Sequence, residues 1–591
     1  MALLIFFLLP AYLVVFQNLL WYIYLWQIKE YRVDRVYSHF RFEDKFDRSS
    51  LSFLLIKLAL VFTSMLYLFF PRSLALLVTP LLAFVLYLAM LERMARNLIG
   101  RRLQRPAIKS ARNILILLWS VAVLLLPAAL LFGWLRSLPV PVEPVGSLVE
   151  LEQQTSINIL PLPLILIVLA TIVAVTTDLL THLVVFLGVL LTNPMASIKR
   201  RGLIRKAKQK LGRSKKLKIV AVTGSYGKTT TKELIYELVK DTYTTVKTPE
   251  NKNTDVGIAQ TILESINENT EVLIAEMGAY HIGEIADSTR LAPPDIAVVT
   301  GVDQQHISLF GTIENTFKAK FEIVQGLKPE GIAILNGNNE YTLNMAAKTD
   351  KKKLLYFAVD NTNFTVTEVD EEKQRVKSKS KFPADSNLYA TTIVQTNEGI
   401  AFDLKYKGEK HHVKTKFKAS HNISNLLAAV SVAVELGVPV EKVVGRIQEG
   451  ELSDKYLAVD EGLGGATIID DGYNSNPTGF LEALKFLKGF ETKGKRWIMT
   501  QGVIELGQEQ DSLYGRFAEQ IASSSDGLIT SDKVLAEAVN EKSPKFPVYL
   551  VKSGPGFVDT YTRRVNKGDT VLIEGRFEPV TMEAITKSED D

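Results

Sequence analysis

The sequence predicts an α-helical transmembrane bundle of about five spans followed by two α/β domains. The first is a phosphate-loop domain with a parallel sheet and a small antiparallel sheet; the second is Rossmann-like. Three observations carry this. Nearly all the long apolar runs of the 591 residues precede residue 193. A stretch dense in Lys and Arg, "NPMASIKRRGLIRKAKQKLGRSKKLK" (193–218), follows them. Then comes "KIVAVTGSYGKTTTKEL" (218–234), which reads as strand, glycine turn and helix start. A chain of this length needs several cores. It has no cysteine, which excludes disulfides, thiolate metal sites and a cysteine nucleophile.

The first span, "ALLIFFLLPAYLVVFQNLLWYIYLW" (2–26), is uncharged and long enough to cross about 30 Å of hydrocarbon. It lacks the basic start and small-residue cleavage site of a removed signal peptide. Further spans fit 51–70, 74–91, 113–135 and 160–190, the second and third joined as a hairpin by "PRS". Lys57 lies near one end of the second span, where it can snorkel. Asp178 and His182 stand four apart on one helix face, and ionisable groups inside a span mark function or a mutual pair.

Orientation follows from loop charge. Residues 27–50 carry six basic residues (Lys29, Arg32, Arg35, Arg41, Lys45, Arg48), and 92–112 carry seven (Arg93, Arg96, Arg101, Arg102, Arg105, Lys109, Arg112). The alternate loops carry only Arg72 and Arg136. Five spans in the plasma membrane with the N-terminus outside place both basic loops, and everything after 193, in the cytoplasm. The segment 193–217 reads as a basic juxtamembrane linker leaving the last helix at Pro194. It suits an anionic lipid surface better than a nucleic acid.

In the next element, "KIVAV" is a buried parallel strand, and Leu234, Ile235, Leu238 and Val239 mark one face of the following helix. Strand, turn and helix N-terminus form an anion cradle: backbone N–H groups and the helix dipole face the phosphates. Gly224, Ser225, Tyr226, Gly227, Lys228, Thr229 and Thr230 line it. Lys228 would reach the β/γ-phosphates of ATP and the Thr229 hydroxyl would bind Mg2+. Ala221 stands where the generic loop has its first glycine.

Further motifs follow in one order: "TPENKNTDVG" (248–257), "AEMGA" (275–279), "GVDQQHISLFGT" (301–312), "KAKFEI" (318–323), "LNGNN" (335–339), "SHNISNLLAA" (420–429) and "IDDGYNSNP" (469–477). With the phosphate loop, this ordered set resembles the Mur ligase family, most closely the branch that adds D-Ala-D-Ala to the cell-wall precursor. The resemblance covers about 218–591. It implies activation of a carboxylate by ATP as an acyl phosphate, attacked by the amine of an amino acid or dipeptide. It also implies one Mg2+ held by Thr229 and Glu276, a second metal beside His306, and Lys320 at the position of a lysine that many members carry as a carbamate. Asn336, His421, Asn422 and Asn425 match adenine-side positions, and Asp471 a ribose-side position. The alternatives for these residues are a surface acid for Glu276, a core His for His306, a helix-surface lysine for Lys320, and turn or cap chemistry for the Asn and Asp residues.

The remaining elements are an alternating region (350–418), expected as an antiparallel sheet, a core helix at 422–437, and strand–helix units from about 453. "GVIELG" (502–507) resembles the family's acceptor-side loop. There are departures: Tyr514 beside Gly515 where the family often has His, Glu574-Gly575-Arg576-Phe577 for Lys-Gly-Ser-Arg, and "SDK" (453–455) for Gly-Arg. The five spans stand in place of a soluble UDP-sugar-binding module, so the carboxylate substrate is expected to be lipid-linked or handled at the membrane face. Competing readings are a poly-amino-acid synthase, a non-catalytic membrane scaffold, and a transport ATPase or kinase-like regulator.

Overall fold

A computed structural model of the chain describes residues 2–29, 31–33, 36, 57–66, 78, 82–92, 110–137, 162–214, 216–303, 310–358, 369–370, 375–376, 388–396, 399–417, 421–449, 458–472, 477–503, 510–551, 554–575 and 577–586. They fall into two units, Met1–Arg200 and Arg201–Asp591.

In the first unit, three helices among the described residues are long and apolar enough to cross a membrane: Leu8–Ile28, Ala111–Trp134 and the start of Ile165–Arg213. These match the expected first, fourth and fifth spans. At the expected second and third spans, the described residues form shorter apolar helices, Lys57–Leu66 and Leu82–Glu92. Among the described residues, three candidate spans are thus seen where about five were expected.

Asp178 ties four of these helices together. Its carboxylate accepts from Asn18 Nδ2 at 2.8 Å and Tyr87 Oη at 3.1 Å, and it pairs with Lys57 Nζ at 2.5 Å. The Lys57 and Asp178 side chains are only 13% and 1% exposed. Lys57 therefore does not snorkel: a buried carboxylate offers it a stronger partner than water at the helix end. His182, one turn on, packs its ring against Tyr22 with centroids 5.0 Å apart.

The last helix also departs from expectation, because it runs unbroken from Leu162 through Pro194 to Arg213. A proline removes one backbone bond, and the residues beyond it gain packing that outweighs the loss. Leu203, Ile204, Ala207 and Leu211, which belong to the second unit, pack within its own core, and Lys210 Nζ donates to the Leu263 carbonyl at 2.8 Å.

The second unit opens with a nine-stranded sheet. Its strands are β1 (Lys218–Thr223), β2 (Thr245–Lys247), β3 (Val272–Glu276), β4 (Ile296–Val299), β5 (Ile332–Asn336), β6 (Lys352–Ala358), β9 (Leu388–Thr396), β10 (Gly399–Tyr406) and β11 (Glu409–Thr415). Their order is β11-β10-β9-β6-β5-β4-β1-β3-β2. The short β7 (Val369–Asp370) and β8 (Arg375–Val376) pair separately.

The expected antiparallel sheet is not a separate one. β9 pairs parallel to β6, so β9, β10 and β11 continue the parallel sheet as its antiparallel edge. Side chains alternate across the strands. Val220, Val222 and Ile274 face one layer, with Leu234, Ile235, Leu238 and the helix His421–Glu435; Ile219, Ala221, Leu273 and Ala275 face the other. The helix expected at 422–437 is thus core.

The last domain is a six-stranded sheet of β12 (Ala458–Glu461), β13 (Thr467–Asp471), β14 (Arg496–Thr500), β15 (Gly527–Thr530), β16 (Val548–Leu550) and β17 (Thr570–Glu574), in the order β12-β13-β17-β14-β15-β16. All its pairs are parallel except β12 with β13. This is the expected Rossmann-like arrangement, its central strands β17, β14 and β15 buried between helical layers.

Candidate functional site

The phosphate loop leaves β1 at Thr223 and enters the helix Lys228–Val239 through Gly227, whose φ of 70° is left-handed. A Cβ on Gly227 would lie 2.2 Å from Asn425 Oδ1, so this position is closed to side chains on two counts. The segment after β4 braces the loop from outside. Ser225 N donates to the Gly301 carbonyl at 2.8 Å, and Ser225 Oγ to the Asp303 carbonyl at 3.1 Å. The Thr300 hydroxyl donates to the Tyr226 carbonyl. The Tyr226 ring lies over Gly301, where a Cβ would meet Tyr226 Oη at 2.1 Å.

Two lysines converge on one carbonyl inside this loop. Lys228 Nζ donates to Gly224 O at 2.8 Å, and Lys320 Nζ donates to the same oxygen at 2.9 Å. Burial lowers the Lys228 ammonium, with the Glu276 charge acting in the opposite sense. Burial, and then the neighbouring Lys228 charge, push Lys320 well below the ordinary lysine range. Lys320 is 3% exposed, so the helix-surface alternative does not hold. Its helix, Ile313–Gln325, is anchored two residues on by Glu322, which accepts from Gly283 N at 2.5 Å and Ala286 N at 2.9 Å at the start of the helix Glu284–Leu291.

Glu276 ends β3 beside the loop and is 4% exposed, not a surface acid. Asn253 Nδ2 donates to its Oε1 at 3.3 Å, and Lys232 Nζ stands 3.6 Å from its Oε2. Lys232 is fully buried and also 3.3 Å from Glu233 Oε1. Sequence reasoning missed Lys232, although its spacing from Lys228, one helical turn, was the available signal. Thr229 and Glu276 offer oxygen donors, which suits Mg2+.

Asn336 is committed within the protein: its Nδ2 donates to the Thr300 carbonyl at 2.7 Å and its Oδ1 accepts from Asn338 N at 2.9 Å. Asn425 lies against the phosphate loop, accepting from Thr231 Oγ1 at 3.4 Å and donating to Asn422 Oδ1 at 3.2 Å. His306 lies outside the described residues, as does the side chain of His421, the first residue of its helix. Asp471 ends β13, 2% exposed, in register with Glu574 of β17. Residues 504–507 of the acceptor-side motif are outside the described residues, but the approach to them is pinned. Tyr514 Oη accepts from Val503 N at 3.2 Å and donates to Asp532 Oδ2 at 2.6 Å. Burial, reinforced by the Asp532 charge, raises the Tyr514 phenol above its usual range, so this donor stays protonated.

Comparison with known proteins bears on this geometry. Residues 222–433 match the Mur ligase middle domain, and residues 458–577 match the Mur ligase glutamate ligase domain. The chain is 27% identical over 361 residues to the UDP-N-acetylmuramoyl-tripeptide–D-alanyl-D-alanine ligase of Bacillus subtilis, covering 60% of this chain and 72% of that protein. It is 28% identical over 324 residues to the Escherichia coli enzyme of the same name, covering 54% and 64%. The chain thus spans less than two thirds of the second relative. Among solved structures, MurF ligase from Thermotoga maritima in complex with ADP aligns with a TM-score of 0.52 at 25% identity, over 64% of this chain and 80% of that one. MurF from Acinetobacter baumannii aligns with a TM-score of 0.54 at 23% identity, over 64% and 77%.

Proposed function

Because the chain belongs to the Mur ligase family, we propose that it is an ATP-dependent amide ligase of cell-envelope precursor synthesis. It joins a substrate carboxylate to the amine of an amino acid or dipeptide such as D-Ala-D-Ala. The observation that carries this is the convergence of Lys228 and Lys320 on the Gly224 carbonyl, beside the buried Glu276. A nucleotide phosphate entering the loop competes with that carbonyl for the ammonium of Lys228, which swings to the γ-phosphate as charge builds there. Burial holds Lys320 well below the ordinary lysine range, which favours the neutral amine that adds CO2; loss of one proton from the adduct leaves an anionic carbamate. Thr229 and Glu276 would hold Mg2+, which when bound neutralises phosphate charge and lets the carboxylate approach. Lys228→Ala should abolish amide formation with ATP; unchanged amide formation in that variant refutes the assignment.

The apolar helices support a membrane-anchored enzyme whose two α/β domains lie at the cytoplasmic face of the plasma membrane, with five spans and the N-terminus outside. Its carboxylate substrate is then lipid-linked or delivered at the bilayer surface. Efficient turnover of a soluble UDP-linked precursor without lipid or detergent would sink that part of the proposal.

A further inference from the structure

The edge strand β11 and the helix that covers it carry three metal-ligand side chains that the phosphate site does not use. Alternation along β11 places Glu409, His411 and Val413 on one face and Lys410, His412 and Lys414 on the other. Val413 shares a core cluster with Val443, Val444 and Ile447 of the helix Val440–Gln448, so the first of these faces is the one the helix packs on. Glu441, in the first turn of that helix, joins the two strand residues. A ring nitrogen of His411 and one carboxylate oxygen each from Glu409 and Glu441 lie within 4.8 Å of one another. Five strands separate β11 from β1 and its phosphate loop, a distance of roughly 30 Å at the usual strand spacing.

The His411 ring lacks what a surface histidine normally finds. Its Nε2 is buried and makes no hydrogen bond among the described residues, although it stands 3.5 Å from Glu409 Oε2. The adjacent His412 is the contrast: its side chain is 61% exposed, and its Nδ1 lies 3.2 Å from Asp403 Oδ1 at hydrogen-bond distance. The His411 side chain is 20% exposed, with its Nε2 shut off from water. Leaving such a nitrogen without a partner costs free energy, and a cation shared with the two carboxylates removes that cost.

We propose that Glu409, His411 and Glu441 bind one Zn2+, with water in the fourth position, and that the ion staples the helix Val440–Gln448 to the edge of the nine-stranded sheet. Zn2+ takes imidazole nitrogen and carboxylate oxygen at about 2.0–2.2 Å, which sets tetrahedral ligand atoms about 3.4 Å apart. His411 and Glu409 already have that spacing, and the exposed Glu441 closes by side-chain rotation. One imidazole with two carboxylates suits Zn2+ better than Mg2+ or Ca2+, which take oxygen ligands. Two ligands come from the strand and one from the helix, so the full set exists only while the helix is packed, and binding stabilises that packing. The site does not rest on the ligase reading.

The test uses the full-length, tag-free protein in detergent, stripped with EDTA and returned to excess Mg2+. It is titrated with ZnCl2 by calorimetry, and its thermal unfolding is followed with and without Zn2+. Wild type should bind one equivalent that His411→Ala weakens roughly 100-fold or more, since even the outer partners of a metal site are worth about 10–100-fold. Glu441→Gln, at an exposed position that folding does not depend on, should weaken it roughly tenfold or more. His412→Ala, on the opposite face of the same strand, should bind within about twofold of wild type. Zn2+ should raise Tm for wild type and His412→Ala and leave that of His411→Ala unchanged. X-ray absorption at the zinc edge should show one imidazole among oxygen neighbours. Failure of the wild type to bind Zn2+ would overturn the proposal. Unchanged affinity in both His411→Ala and Glu441→Gln, or an equal loss in His412→Ala, would overturn it as well. Should His411→Ala not accumulate as folded protein, Glu441→Gln and Glu409→Gln carry the same comparison with His412→Ala.

Discussion

Gly227→Ala probes the phosphate loop where the structure is least forgiving. The residue has φ of 70°, a conformation that costs a residue bearing a Cβ roughly 1–2 kcal/mol. The added carbon would lie 2.2 Å from Asn425 Oδ1, well inside the 3.4–4 Å of ordinary contact. Asn425 must therefore swing away from Asn422 Oδ1 and Thr231 Oγ1, at about 0.5–1.5 kcal/mol for each hydrogen bond. The sum is about 2–5 kcal/mol, which corresponds to roughly 30- to 5,000-fold in nucleotide affinity if it falls on the bound loop. Titration of the detergent-solubilised protein with a fluorescent ATP analogue, alongside thermal unfolding, separates lost affinity from lost stability. The second half of the test is Asn425→Ala, which removes the obstructing oxygen and leaves only backbone strain. The double variant should therefore lose less than the sum of the single losses, by about 1–3 kcal/mol. Wild-type affinity and stability in Gly227→Ala, or strictly additive losses in the pair, would refute the placement of Asn425 against the loop.

Other consequences follow from buried charge. Lys320 has a folded-state value depressed below its unfolded value. Between the two the unfolded chain binds more protons, so stability rises with pH by up to about 1.4 kcal/mol per unit. Lys320→Met should flatten that rise in urea unfolding over mildly alkaline pH, and parallel curves for variant and wild type would contradict it. Asp178→Asn leaves Lys57 buried without its counter-charge and should cost about 3–5 kcal/mol. Lys57→Met together with Asp178→Asn should recover part of this in detergent-titrated unfolding. Tyr514→Phe removes the donor to Asp532 and the acceptor for Val503 N. It should cost about 1–3 kcal/mol, measured as a lowered Tm, with increased hydrogen exchange at Val503.

Some of the molecule was legible because short stretches carry their own instructions. The run "KIVAV" followed by a glycine turn and an apolar helical face specifies strand, cradle and helix whatever lies beyond it. Long uncharged segments announce apolar helices in the same local way. The covalent chain also placed Lys228, Thr229 and Glu276 at strand and helix ends, where ligands are met.

Other features depend on which distant segments meet. Lys57 and Asp178 are far apart in sequence, and nothing near either announces the other. Lys320 read equally well as a surface lysine; only the packing of the helix carrying it, held by Glu322, presses its amino group onto the Gly224 carbonyl. The antiparallel strands could not be assigned to the main sheet before β9 was found beside β6, because a strand's alternation states which faces are buried but not which neighbour it has.

Pattern and turn chemistry thus settle the elements, their order and the cradle for phosphate, since these arise from neighbours along the chain. The partners of Lys320, Lys232 and Asp178 were set by folding. Water is excluded only when remote segments close over a charge, and the cost of that exclusion decides what each charge must then find.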